Sequence, residues 1–105
     1  MDDPIQKHPT RMEQLDLMVS IIADHAEPGD QLLDLGCGVG YVGTLVLDRN
    51  PYLHLVGVDV SSESLAIAKT NLAYAANRTT LLQGDLESVN DLRLPDPSYR
   101  FIISA

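Results

Sequence analysis

The stretch Leu32-Leu33-Asp34-Leu35-Gly36-Cys37-Gly38-Val39-Gly40 leaves this chain few ways to fold. Its apolar half, Gln31 to Leu35, reads as a parallel strand buried on both faces. The alternating glycines behind it let the backbone turn sharply where a Cβ would clash. They also leave bare backbone for a ligand to approach, beside the N-terminus of the helix that follows. Asp34 aims a negative charge at that same space, which suits a ligand with a cationic group near a nucleoside better than it suits a pyrophosphate. A carboxylate at the end of an apolar strand is costly without a partner. Asp34 therefore meets a ligand, caps a helix or joins a salt bridge.

The rest of the chain alternates strand and helix. Thr10-Arg11-Met12-Glu13 fits a capping box. Behind it Leu15, Met18, Val19, Ile22 and Ala26 recur at helical spacing, which predicts one amphipathic helix from Thr10 to about Ala26. His25 falls in its last turn, where a cation complements the helix dipole. Glu27-Pro28-Gly29-Asp30 is a turn. A second helix spans about Tyr41 to Asp48 and stops at Asn50-Pro51. Leu53 to Asp59 is a strand, and Ser61 or Ser62 caps a helix that carries Leu65, Ala68, Leu72 and Ala75 or Ala76 on one face. Thr79 to Gln83 is a third strand, Ser88 to Ser98 a loop or short helix broken by Pro95 and Pro97, and Phe101 onward a fourth strand. Such alternation implies a parallel sheet with right-handed crossovers. Met1 to Pro9 reads as a loose arm.

The spacing Asp34-x-Gly36-x-Gly38-x-Gly40 resembles motif I of the class I S-adenosylmethionine-dependent methyltransferases. Val56-Gly57-Val58-Asp59-Val60-Ser61 is similar to that family's second strand, Leu81-Leu82-Gln83-Gly84-Asp85-Leu86 to its third, and Tyr99 to Ala105 to the start of its fourth. The resemblance runs from about Thr10 to the last residue. It implies an α/β, Rossmann-like, doubly wound parallel sheet, and S-adenosylmethionine as methyl donor. It further implies that Asp34 faces the amino group of the donor's methionine part, with Gly36, Cys37, Gly38 and Gly40 lining the loop beneath. On the same resemblance Asp59 accepts from the ribose hydroxyls and Val60 packs against adenine. Asp85 would meet the adenine amino group, and Leu86 would offer its backbone N–H to the ring edge. The residues alone leave blander roles open: Asp59 as a helix cap, Gly84-Asp85 as a plain turn, and Tyr41 as packing rather than a cofactor contact.

One competing pattern lies in the same loop. Gly38-Val39-Gly40-Tyr41-Val42-Gly43 matches the Gly-x-Gly-x-x-Gly of nicotinamide dinucleotide-binding units, with Asp59 at about the expected distance. Against it, Gly36 and Cys37 intervene between strand and pattern. Asp34 would also face a pyrophosphate, and the long helix before the first strand belongs to the methyltransferase plan.

Such a domain normally carries seven strands, and this chain of 105 residues stops inside the fourth. The expectation is therefore residues 10–105 as the cofactor-binding half of a methyltransferase domain, truncated after the fourth strand, with the acceptor site and any general base elsewhere. A bare sheet edge is an association liability, so self-association through it is expected, and a non-catalytic interaction piece is the alternative reading. The formal charge of −8 argues against a surface built for nucleic-acid phosphates. Ser104-Ala105 stands where methylases of nucleobase amino groups often carry Asn or Asp followed by two prolines. Both features favour a small-molecule acceptor and make nucleic acid an unexpected partner. The single cysteine fits a reducing cytoplasm. No run approaches the roughly 18 to 20 apolar residues of a membrane span, and His8, His25 and His54 have no metal-ligand spacing.

Overall fold

The computed structural model describes residues 11–85 and 100–104. Helix α1 (Arg11–His25) leads into strand β1 (Gln31–Leu35), helix α2 (Tyr41–Arg49), strand β2 (His54–Asp59) and helix α3 (Ser62–Asn71). A 3-10 segment, Ala73–Arg78, enters strand β3 (Thr79–Gln83), and strand β4 (Phe101–Ser104) completes a parallel sheet of order β3-β2-β1-β4. The chain steps outward from β1 to β3 and then returns to the other side of β1. That reversal makes the carboxyl ends of β1 and β4 a topological switch point, where open parallel sheets hold ligands.

Register explains which residues meet there. Leu33 pairs with Val56 and Ile102, while Asp34 pairs with Gly57 and Ile103. Leu32, Leu55, Val46, Leu47, Val19, Ile22, Ala68 and Leu72 form one buried cluster, so all three helices pack on a single face of the sheet. Leu33, Val56 and Val58 form a separate cluster on the other face. Burial at both faces is why β1 and β2 read as nearly unbroken apolar runs. Asp34 is the exception, on the helix-covered face and only 3% exposed.

The observed bounds lie close to those expected from the sequence, with one difference. The apolar stripe through Ala75 does not lie on one continuous helix: α3 ends at Asn71 and tightens into the 3-10 segment, with Leu72 N–H shared between the carbonyls of Ala68 and Thr70. Ala75 is buried and Ala76 is exposed. Asn71 leaves the helix to donate from Nδ2 to the carbonyl of Val39, 2.9 Å away, which ties the end of α3 to the glycine loop. Ser61 is the N-cap, its hydroxyl accepting from Ser64 N–H at 3.1 Å. The Thr10 cap and the Ser88 to Ser98 segment lie outside the described residues.

Asn50 is the buried polar joint that keeps this half-layer in shape. Its Nδ2 donates to the carbonyls of Ala23 and Ala26 at 3.0 and 3.2 Å, and its Oδ1 accepts from the amides of Tyr52 and Leu53 at 2.8 and 3.1 Å. Arg78 adds donors to the carbonyls of Asn50, Leu53 and Leu47, satisfying the C-terminal end of α2. One side chain thus links the ends of α1 and α2 to the start of β2. Removing it leaves a buried amide and carbonyls without partners, each costing about 1–3 kcal/mol. Asn50→Ala is expected to destabilise the chain by about 3 kcal/mol in urea unfolding followed by circular dichroism. A loss under about 1 kcal/mol would contradict this role.

Candidate functional site

The loop after β1 is built by three left-handed glycines: Gly36, Gly38 and Gly40 have φ of 78, 55 and 85°. Side chains rarely tolerate that region, so the alternation of glycines is a backbone requirement. The amides of Gly36 and Cys37 both donate to the carbonyl of Val58, at 2.7 and 3.0 Å, which folds the loop back over the end of β2. Gly40 N–H closes the turn on the Cys37 carbonyl at 3.0 Å, and α2 begins at once.

Beyond their dihedrals the glycines differ. A Cβ at Gly38 would meet nothing within 4 Å, so the loop is open at this point. A Cβ at Gly40 would approach Leu72 Cδ1 to 3.0 Å, so Gly40 serves the packing of α2 against α3. Gly43, third in the dinucleotide-like pattern, would place a Cβ 2.6 Å from Leu55 Cδ2, so it brings α2 down onto the sheet. Gly57 is a residue that the motif reading passed over. A Cβ there would lie 2.9 Å from Cys37 Sγ, so Gly57 gives the Cys37 thiol its berth. Its signal was faint: a glycine inside a strand marks a close approach.

Asp59 binds the site together. Its Oδ2 accepts from Gly38 N–H at 2.8 Å and its Oδ1 from Ser61 N–H at 2.9 Å. The cap-like role and a ligand role are compatible, because each carboxylate oxygen keeps a further lone pair. Gly84 N–H donates to the Asp59 carbonyl at 3.0 Å, so Asp85 lies beside Asp59 at the same sheet edge, exposed. Val60 is 60% exposed, an apolar side chain presented at the end of β2. Leu86 lies outside the described residues.

Asp34 has a different environment. Among the described residues no hydrogen bond or ion pair reaches its carboxyl group, although it is 97% buried by the exposure of 3%. It lines a cavity of about 320 Å³ between the start of α1, the start of α2 and the end of β4, with Arg11, Met12, Tyr41, Val42, Ile103 and Ser104 among its walls. Burial first, and the nearby Asp59 second, push its pKa up to about 6. Burial, with Asp34 and Asp59 adding to it, pushes the Cys37 thiol up to about 12. Cys37 therefore stays protonated near neutrality, and its amide and thiol are both taken up by the fold; it is no thiolate nucleophile. A larger groove of about 470 Å³ runs between α1 and β4, but it is apolar apart from Gln14 and Arg100 and lies off the glycine loop.

With this geometry the family is plain. The methyltransferase small domain model matches residues 13–104, and the chain belongs to that family, with the parallel α/β, Rossmann-like fold of class I S-adenosylmethionine-dependent methyltransferases. It is 32% identical over 74 residues to the ribosomal RNA small subunit methyltransferase C of Stutzerimonas stutzeri, covering 69% of this chain and 22% of that protein. The YcgJ protein of Bacillus subtilis superposes with a TM-score of 0.70 at 25% identity, over 90% of this chain and 38% of that one. A methyltransferase from Geobacter sulfurreducens, solved in complex with S-adenosyl-L-homocysteine, superposes with a TM-score of 0.58 at 31% identity, over 70% of this chain and 29% of that one. The chain thus spans about a fifth of the length of the curated relative and about a third of the solved ones. One expectation from composition is corrected here. The acidic charge made nucleic acid an unexpected partner, whereas a relative of this chain is a ribosomal RNA methyltransferase. Net charge of a segment that spans a fifth of such a protein does not report on its acceptor surface. Among the described residues, no helix is long and apolar enough to cross a membrane.

The raised pKa of Asp34 has a consequence for stability. The folded chain holds the proton to about pH 6, whereas an unfolded aspartate releases it near 3.9. Between those values the native state binds more protons, so stability falls as pH rises and then levels off above the folded pKa. The full difference is about 3 kcal/mol. Asp34→Asn is therefore expected to melt several degrees above the unmodified chain at pH 8 without ligand, the gap closing toward pH 4.5. A gap independent of pH in thermal melts would contradict the assignment.

Proposed function

We propose that this chain forms the donor site of an S-adenosylmethionine-dependent methyltransferase. The observation that carries the reading is Asp34: a buried carboxyl group with no partner among the described residues, in the wall of a cavity beside an open glycine loop. A cationic ammonium group on a ligand would supply the missing partner and recover the cost of burying the charge. Gly38 leaves room for a ligand against its backbone. The remaining acceptor capacity of Asp59 suits a pair of ribose hydroxyls, with Asp85 and the exposed Val60 beside it for an adenine ring. Asp34 in the cavity wall also weighs against a dinucleotide, whose pyrophosphate would meet a carboxylate there.

When bound, the sulfonium supplies an already activated methyl group. The task left to the chain is to bind, orient and shield, so that approximation carries most of the rate. Asp34 fixes the amino-acid end, Asp59 the ribose, and the wall formed by Met12, Val42 and Ile103 excludes water from the space between. Cys37 takes no part in proton or methyl transfer. The relative named for ribosomal RNA supports a nucleic-acid acceptor.

Titration calorimetry with S-adenosylhomocysteine, and with NAD in parallel, tests the reading. Saturable binding of the former is expected, weakened at least about tenfold in Asp34→Asn, with no saturable heat from NAD. Tight NAD binding without S-adenosylhomocysteine binding would overturn it.

A further inference from the structure

We infer that Arg11 is the residue that receives the α-carboxylate of the donor's amino-acid end, opposite Asp34 in the same cavity; this rests on the donor-site reading above. Arg11 is the first residue of α1. Leu15, Met18 and Ile22 form the stripe of α1 that packs toward the sheet. Arg11 lies one turn before Leu15, so it continues that stripe past the carboxyl ends of the strands. An apolar residue would extend the core at this place. The chain instead puts a guanidinium there, and it lines the cavity that Asp34 closes from the sheet side.

A donor amino-acid end is a zwitterion: its ammonium is matched by Asp34, but its carboxylate enters a space that already contains the negative field of Asp34 and Asp59. Without a cation the carboxylate would be repelled. Among the described residues, Arg11 is the one Lys or Arg in the wall of this cavity, and no carboxylate is paired with it. A guanidinium presents a fork of donors matched to a carboxylate, and its charge balances the acid on the far wall. The N-terminus of α2, which opens at Tyr41 on the same cavity, is the competing place for that carboxylate.

Two ligands separate these possibilities: S-adenosylhomocysteine, and 5′-methylthioadenosine, which keeps the nucleoside thioether but lacks the amino-acid end. Calorimetry on the chain and on Arg11→Gln is expected to show at least about a tenfold loss of S-adenosylhomocysteine affinity, with 5′-methylthioadenosine binding unchanged. Arg11→Lys should recover part of the loss, because charge is kept while the fork is not. An unfolded or loosened variant would lose both ligands together, so equal losses on the two would overturn the role. Unchanged S-adenosylhomocysteine affinity in Arg11→Gln would also overturn it, and would leave the α2 amides holding the carboxylate and the donor site intact. Failure of the unmodified chain to bind either ligand would instead bring down the donor site and this assignment with it.

Discussion

The Asp59 carboxylate joins the ends of β1 and β2 through two backbone amides, Gly38 on one side and Ser61 on the other. Those two bonds settle where the glycine loop lies, where α3 starts, and which backbone stays open to a ligand. They depend in turn on the parallel register that sets Asp34 opposite Gly57 and leaves Asp59 just past the last paired residue of β1. Gly57 has no side chain, so the Cys37 thiol can sit over it, and the loop can close onto the Val58 carbonyl. A larger residue at 57 would lift Cys37 and with it the open point at Gly38.

Within this frame the chain keeps one costly feature. Asp34 is buried in the apolar layer with no protein partner among the described residues, and Asp59 next to it makes ionisation harder still. Acids with pKa values perturbed in this way cluster at functional sites. The scaffold itself is conventional by contrast. Asn50 and Arg78 satisfy the carbonyls of Ala23, Ala26, Leu47, Asn50 and Leu53 at the far end of the layer, and the salt bridge of Arg100 to Asp30 at 3.3 Å pins β4 beside the turn before β1.

Much of this was legible in the residues. The run Leu32 to Gly40 determined a buried strand followed by a turn that needs left-handed backbone, and the φ values of Gly36, Gly38 and Gly40 agree. Gly38 and Gly40 looked alike in sequence, yet Gly38 is open and Gly40 is not, because whether Gly40 faces ligand or helix depends on where Leu72 arrives from a distant segment. The 3-10 break after Asn71 was hidden because Ala75 keeps nearly the periodicity of the helix before it. The cavity over Asp34 was invisible for a similar reason: its walls come from α1, α2 and β4, and Arg11 reads as an ordinary first-turn residue until those elements converge. Net charge misled outright about nucleic acid as a partner, since a sum over residues carries no information about how charge is distributed.

Asp34 is a buried acid without a partner among the described residues, and carbon NMR of its carboxyl group as a function of pH tests directly whether a cation completes it. In the ligand-free chain the Asp34 titration is expected near pH 6. With saturating S-adenosylhomocysteine it should shift down by a unit or more, as the ligand ammonium favours the charged form. A midpoint near 4 in the free chain, at the ordinary aspartate value, or a midpoint unmoved by bound ligand, would contradict the account.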